Sequence, residues 1–148
     1  MASLKEIKQL ALEESKNYQL KRSSERQTQL GEVFTPTPLV IDILKKLPPG
    51  QVNGVWSEDK TFLDPACGNG QFLAVIAIIK TQLGHKDPLS TIYGVDIMED
   101  NVLECRQRLL AIAGDNAHNR KVVEKNIVCA NSLIYDFEFK EPYWKGGR

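Results

Sequence analysis

Hydrophobic and polar positions follow a helical period near the N-terminus and then switch repeatedly between short apolar runs and helical stripes. Residues 2–20 place Leu4, Ile7, Leu10, Ala11 and Leu12 on roughly one face of a helix. Arg22, Ser23, Ser24 and Arg26 read as a flexible connection. In the stretch Gly31-Glu32-Val33-Phe34-Thr35-Pro36-Thr37-Pro38-Leu39-Val40 the prolines impose an extended approach, because the residue before each is pushed away from helical angles. Thr37 is the expected N-cap, with Pro38 at the first helical position. Val40, Ile41, Ile43, Leu44 and Leu47 supply the buried face of a helix that ends before Pro48-Pro49-Gly50. Residues 48–60 read as a loop, with Trp56 covering the core edge.

The central stretch runs Phe62-Leu63-Asp64-Pro65-Ala66-Cys67-Gly68-Asn69-Gly70-Gln71-Phe72-Leu73. Apolar residues lead into an acid, a Gly-x-Gly turn follows, and Phe72, Leu73, Val75, Ile76, Ile78 and Ile79 mark a helix over 71–83. The segment His85-Lys86-Asp87-Pro88 breaks that helix. Residues 91–96 predict a second strand ending in Asp96, and residues 99–113 a helix with Val102, Leu103, Leu109, Leu110 and Ile112 as core positions. A polar link over 114–120 and a short basic segment, Arg120 to Lys125, lead to a third strand at 127–130. The tail from Ile134 to Arg148 alternates aromatic and polar residues, and no internal repeat occurs.

Strands alternating with helices of this length predict βαβ units and an α/β fold with a parallel sheet, preceded by an N-terminal helical segment at 1–30 and forming one domain over 31–148. Right-handed crossovers bring the glycine loop and the strand-end residues to one edge of the sheet. Asp64, Gly68, Gly70, Asp96 and Asn131 are therefore expected to converge on one crevice.

Composition adds constraints. The 148 residues suit a single domain with a buried core, and 19 basic residues balance 19 acidic ones. Zero net charge argues against broad nucleic-acid binding by charge alone. Within residues 1–30 the charges are mixed, which favours a solvated amphipathic helix over a DNA-contacting arm. No apolar run reaches the roughly 18 residues of a membrane span, and no signal core opens the chain. Cys67, Cys105 and Cys129 lack metal-ligand spacing, so a cytoplasmic protein with reduced thiols, no metal site and no membrane partner is expected. His85 and His118 stand in polar surroundings without evident partners.

The crevice chemistry disfavours a dinucleotide. Leu73 stands where the third glycine of Gly-x-Gly-x-x-Gly belongs, and Asp96 lies 26 residues beyond Gly70. A nucleoside joined to an amino acid, as in S-adenosylmethionine, fits better. Asp96 at its strand end can accept from ribose hydroxyls, Ile97 and Met98 can sandwich an adenine, and Asn131 can read the adenine edge. Asp64 can engage the ammonium of the methionine part, near the backbone N–H groups of the loop and the following helix.

The stretch Asp64-Pro65-Ala66-Cys67-Gly68-Asn69-Gly70-Gln71-Phe72-Leu73 resembles the first motif of adenine-N6 DNA methyltransferases of restriction–modification type, commonly Asp-Pro-Ala-Cys-Gly-Ser-Gly-x-Phe-Leu. Phe34-Thr35-Pro36 is similar to the segment that lines the methionine end of the cofactor in that family. Gly94-Val95-Asp96-Ile97 resembles the ribose-binding motif, and Ala130-Asn131-Ser132-Leu133 the adenine-edge motif, with Asn131 replacing the more usual Asp. The resemblance implies a Rossmann-like methyltransferase fold, S-adenosylmethionine as cofactor and S-adenosylhomocysteine as product. It extends the cofactor set to Ala66, Cys67, Phe72, Ser132 and Leu133.

One family feature has no counterpart. The acceptor motif Asn/Asp-Pro-Pro-Tyr/Phe, which grips a flipped-out adenine, is not found after residue 133. Glu141, Pro142 and Tyr143 are its only weak candidates, too close behind the third strand for a further helix and strand. If strand order follows the family, the strand at 61–64 is an open, apolar edge. An oligomer or a partner chain is then expected to cover it, with DNA reached through that partner. A non-catalytic accessory or decoy subunit is the alternative reading, and a small-molecule methyltransferase is disfavoured because its relatives usually lack the Asp-Pro-Ala-Cys signature.

Overall fold

The computed structural model describes residues 3–18, 23–30, 34–47 and 59–140. In chain order the elements are α1 (Leu4–Ser15), α2 (Ser24–Leu30), α3 (Thr37–Leu44), β1 (Phe62–Asp64), α4 (Gln71–Gln82), β2 (Ile92–Asp96), α5 (Glu99–Ala113), α6 (Ala117–Asn126) and β3 (Ile127–Cys129). A 3-10 turn at Pro88–Thr91 leads into β2. The strands form one parallel sheet in the order β1-β2-β3. Phe62 lies opposite Ile92, Asp64 opposite Gly94, and Asp96 opposite Cys129. The expected parallel α/β arrangement is present, and the strand order is the one that leaves β1 outermost.

Local sequence explains the elements. Ser3 and Glu6 form a reciprocal capping box at α1, with Ser3 N–H donating to Glu6 Oε2 at 2.6 Å and Glu6 N–H to Ser3 Oγ at 3.2 Å. α4 is buried over most of its length, from Leu73 to Lys80, and forms the centre of the helical layer. α1, α3 and α5 all pack against it. At its C-terminal end the buried Lys80 ammonium donates to Asp59 Oδ1 at 2.6 Å and to the Lys60 carbonyl at 2.7 Å. Burial works against the Asp59 carboxylate, but the hydrogen bond and charge of Lys80 outweigh it and hold Asp59 below its ordinary range. Gly94 lets β2 pass close beneath the loop, since a Cβ there would stand 2.7 Å from Leu73 Cδ1 and 3.1 Å from Cys67 Cβ.

The alternation along β2 and β3 separates two cores. Ile92 and Ile127 face the helical layer, whereas Val95 and Val128 face the other side. There the segment after β3 folds back, and Tyr135 and Phe139 bury their rings against Val95, Val128 and Ala130. The rings of Tyr93 and Phe139 lie 4.8 Å apart. On the same face of β1, Leu63 is 48% exposed. Among the described residues no strand pairs with the outer edge of β1. An open apolar groove of about 330 Å³ runs along it, lined by Ile43, Leu44, Leu47, Phe62, Leu63, Asp64, Phe72, Leu73 and Ile76.

Several expectations are corrected. Ser23, Ser24 and Arg26 are not a flexible connection: Ser23 Oγ accepts from Arg26 N–H at 3.2 Å and starts α2, and the Arg26 guanidinium grips Asp100 at 2.6 and 3.2 Å. The polar link and basic segment after residue 113 contain a helix, α6, which Asn116 caps by accepting from Asn119 N–H at 2.8 Å. Thr37 is inside α3 instead of capping it, and Pro36 takes the cap position. Ile43, Leu4, Leu10 and Leu103 lie on exposed flanks of their helices, while Ser15 joins the buried face of α1. His118 Nε2 lies 2.9 Å from Asp87 Oδ2 and His85 Nδ1 3.2 Å from Asp59 Oδ1, so each histidine does stand beside a carboxylate. Trp56 and the Pro48-Pro49-Gly50 stop lie outside the described residues.

The second core yields a stability prediction. Phe139→Ala removes the ring that joins Tyr93 to Tyr135 and is expected to cost about 3 kcal/mol, read from urea unfolding at neutral pH. A loss below about 0.5 kcal/mol, the scale of surface substitutions, would contradict the packing of this segment on the sheet.

Candidate functional site

The C-terminal ends of the three strands define the site, because parallel pairing brings them to one edge. After β1 the chain turns through Pro65–Gly70 into α4, with Gly68 at φ +55° and Gly70 at φ +95°. A left-handed backbone is costly for any residue with a Cβ, and at Gly68 that Cβ would also stand 2.8 Å from the Phe34 ring. Phe34 therefore packs directly on the loop. The following residues are tied to it as well, since Gln71 Nε2 donates to the Thr35 carbonyl at 2.6 Å and to Thr37 Oγ1 at 3.3 Å. Gln71 Oε1 is a buried acceptor with no donor among the described residues.

Asp96, at the end of β2, holds the loop from the other side. Its Oδ1 accepts from Gly68 N–H at 3.1 Å, and its Oδ2 from Met98 N–H and Asn101 Nδ2, each at 3.0 Å. A carboxylate has about four acceptor positions, so these three donors leave about one for a ligand. The Cys67 N–H donates to the Val95 carbonyl at 2.9 Å and Ala130 N–H to the Asp96 carbonyl at 3.0 Å, which extends the sheet pairing into the site.

Asp64 is half-buried and accepts from Ala66 N–H at 3.1 Å. Burial pushes its carboxyl above the ordinary range; the Ala66 amide opposes this and the charge of Asp96 adds to it. After β3, Asn131 is exposed and its Oδ1 accepts from Leu133 N–H at 3.0 Å, which leaves its amide N–H₂ facing outward as a donor. Ser132 Oγ donates to the Pro65 carbonyl and closes the β3 loop onto the β1 loop. Exposed apolar side chains stand at these strand ends: Ile97 at 46% and Leu133 at 91%.

The structure thus brings Phe34, Thr35, Gly68, Gly70 and Asp96 into one contact network, with Met98 joined to it through Asp96, and Pro36 follows Thr35 at the cap of α3. Ala66, Asp64, Asn131 and Ser132 line the adjoining strand ends. Two further expected residues have side chains that are wholly or partly buried. Phe72 is half-buried in the groove along β1. Cys67 belongs to the loop, but its side chain is buried beside Cys105, and that neighbouring thiol together with burial pushes it well above its ordinary value, so it stays protonated. Glu141, Pro142 and Tyr143 lie outside the described residues. Among the described residues no cluster suited to a metal ion occurs, and no helix is long and apolar enough to cross a membrane.

A family model described as N-6 DNA methylase matches residues 14–141. The chain belongs to the N-6 DNA methylase family. Comparison with curated proteins and with solved structures finds no match. Membership makes the three-stranded parallel sheet part of a Rossmann-like methyltransferase fold, and members of the N-6 DNA methylase family generally use S-adenosylmethionine.

Sequence reading missed the buried polar groups behind the loop. Arg108, Asn69, Glu104 and Glu14 form a network described below, and Asn101 orients Asp96. A signal was present on α5. Val102, Cys105 and Leu109 mark its buried stripe, and Asn101 and Arg108 fall on that stripe at helical spacing. A polar residue on an apolar stripe requires a partner inside the protein.

Asp64 provides a pH test. Its folded value lies above the unfolded one, so the penalty of its charged form is absent below the unfolded carboxylate range and appears as pH rises through the folded value. Asp64→Asn, which keeps an acceptor for Ala66 N–H, is therefore expected to raise the thermal midpoint of the unliganded protein at pH 7. The difference should shrink as pH falls toward about 4 and vanish below that range. A difference that grows as pH falls would contradict the assignment.

Proposed function

We propose that this domain binds S-adenosylmethionine at the strand ends and presents its methyl group for transfer to adenine N6 of DNA, with the acceptor side completed by another chain. The observation that carries this reading is the joint hold of Asp96 and Phe34 on the Gly68 loop, which joins three segments resembling cofactor motifs into one site. The residues present suit the ligand. Asp96 keeps an acceptor position for a ribose hydroxyl, Ile97 and Leu133 offer apolar surface for a purine, and the Asn131 amide can donate to a ring nitrogen. Asp64, raised by burial, gains from a cationic partner, and an ammonium is such a partner. The bound sulfonium would supply an activated methyl group. The task left to these residues is to hold it in line with the acceptor, since positioning can supply much of the rate.

A partner is supported by the outer edge of β1, where no described strand pairs and the adjacent apolar groove forms a surface of the kind that soluble proteins usually cover. The covering chain is a partner protein or a second copy. In either case DNA is reached in the assembly and not by net charge of this chain, which is zero. A cytoplasmic, restriction–modification setting accords with this reading. The second reading is a non-catalytic accessory or decoy subunit that docks on a methyltransferase.

The test is methyl transfer from labelled S-adenosylmethionine to unmethylated duplex DNA, with N6-methyladenine measured in the digest. The purified chain alone is expected to sediment as an oligomer or to be inactive until its partner is restored, and the complete complex is expected to form N6-methyladenine. Transfer by a monomer would contradict the shared site. A complex whose activity is unchanged when this chain can no longer bind cofactor would establish the accessory reading instead.

A further inference from the structure

Arg108 is a buried cation that the site described above does not use. Its side chain is 1% exposed, and its guanidinium meets Glu14 of α1 side-on, with Nη2 at 2.6 Å from Oε1 and Nε at 2.9 Å from Oε2. The remaining nitrogen, Nη1, donates to the Asn69 carbonyl at 3.2 Å and to Asn69 Oδ1 at 3.3 Å. Asn69 is fully buried between the two left-handed glycines, and its Nδ2 donates to Glu104 Oε1 at 2.8 Å. The Tyr18 ring lies 4.8 Å from the guanidinium carbon.

This arrangement acts on the loop backbone itself. The Asn69–Gly70 peptide has its carbonyl on Arg108, while Gly70 N–H donates to the Cys67 carbonyl at 2.9 Å. Both polar ends of that peptide are engaged, so the plane of the turn is set at its least constrained point. Glycines on either side would otherwise allow the peptide to rotate. A planar guanidinium holds its donors in a fork that meets a carboxylate bidentately and a loop carbonyl on its other side, a geometry that a point-like ammonium lacks.

We propose that Arg108 is a positioning residue for the cofactor loop, aimed by Glu14, so that α1 is a working part of the cofactor site. The inference rests on the loop being the place where S-adenosylmethionine binds. Coupling of this kind is reciprocal: whatever orders the loop also holds α1 in place.

The decisive variant replaces the ion pair by apolar side chains, Glu14→Met with Arg108→Met, because exchanging a buried pair for packed apolar groups often leaves stability near its starting level. Two readouts are taken on the full chain. Without ligand, hydrogen exchange at the Gly70 amide is expected to quicken roughly tenfold or more, while amides in the middle of α5 keep their wild-type rates. The S-adenosylmethionine dissociation constant, by calorimetry, is expected to rise roughly ten- to hundredfold at an unchanged thermal midpoint. Should the double variant fail to fold, Arg108→Lys, which keeps a cation beside Glu14 but loses the planar fork, decides on the same two readouts. Unchanged Gly70 exchange, or unchanged affinity in a folded variant, overturns the proposal. If the wild-type chain binds no S-adenosylmethionine, the cofactor reading falls, and the proposal that rests on it falls too; Gly70 exchange then still reports whether Arg108 orders the loop.

Discussion

The hydrogen bond from the Gly68 amide to the Asp96 carboxylate is the constraint on which the site depends. Together with the Cys67 N–H bond to the Val95 carbonyl, it joins the first strand's exit loop to the second strand's end. A charge-assisted bond of this kind contributes about 1.5–3 kcal/mol. It is also cooperative with its surroundings, because Met98 and Asn101 orient the same carboxylate and Phe34 closes over the same glycine. The left-handed form of the loop is therefore held by the protein's own contacts, and a loop held in this way costs less to order on binding.

α4 carries this arrangement into the core. It is nearly all apolar, and its two ends are held by buried or half-buried polar contacts of different kinds. Gln71 and the Asn69–Arg108 network secure the N-terminal end, where free N–H groups point toward the site. Lys80 and Asp59 secure the C-terminal end, where a cation also suits the helix dipole. Apolar packing alone would allow α4 to slide or rotate. Directional contacts at both ends fix its register against the sheet, in keeping with the use of buried ion pairs for specificity more than for stability.

The strand order came from the family resemblance, whereas the parallel α/β order, α4, α5 and the glycine loop were legible from the residues. Their apolar runs and punctuating glycines have few alternatives. α2 and α6 were not, because both are polar segments whose only strong signal is a cap, Ser23 for one and Asn116 for the other. The histidine partners and the Glu14–Arg108 pair were also hidden, since they link positions far apart in sequence that only the fold brings together. The positions expected to line a cofactor came from motif resemblance. Geometry then distributed them unevenly, with Phe34 and Asp96 at the loop, the Cys67 side chain buried and Phe72 in the neighbouring groove.

The central claim is that the loop held by Asp96 is a cofactor site. Calorimetric titration of S-adenosylmethionine into the wild-type chain and into Asp96→Ala tests it most directly. Saturable binding to the wild type is expected, weakened at least about tenfold in the variant, in line with the loss of a charge-assisted hydrogen bond. No binding heat from a folded wild-type protein, or equal affinity in both, would contradict it.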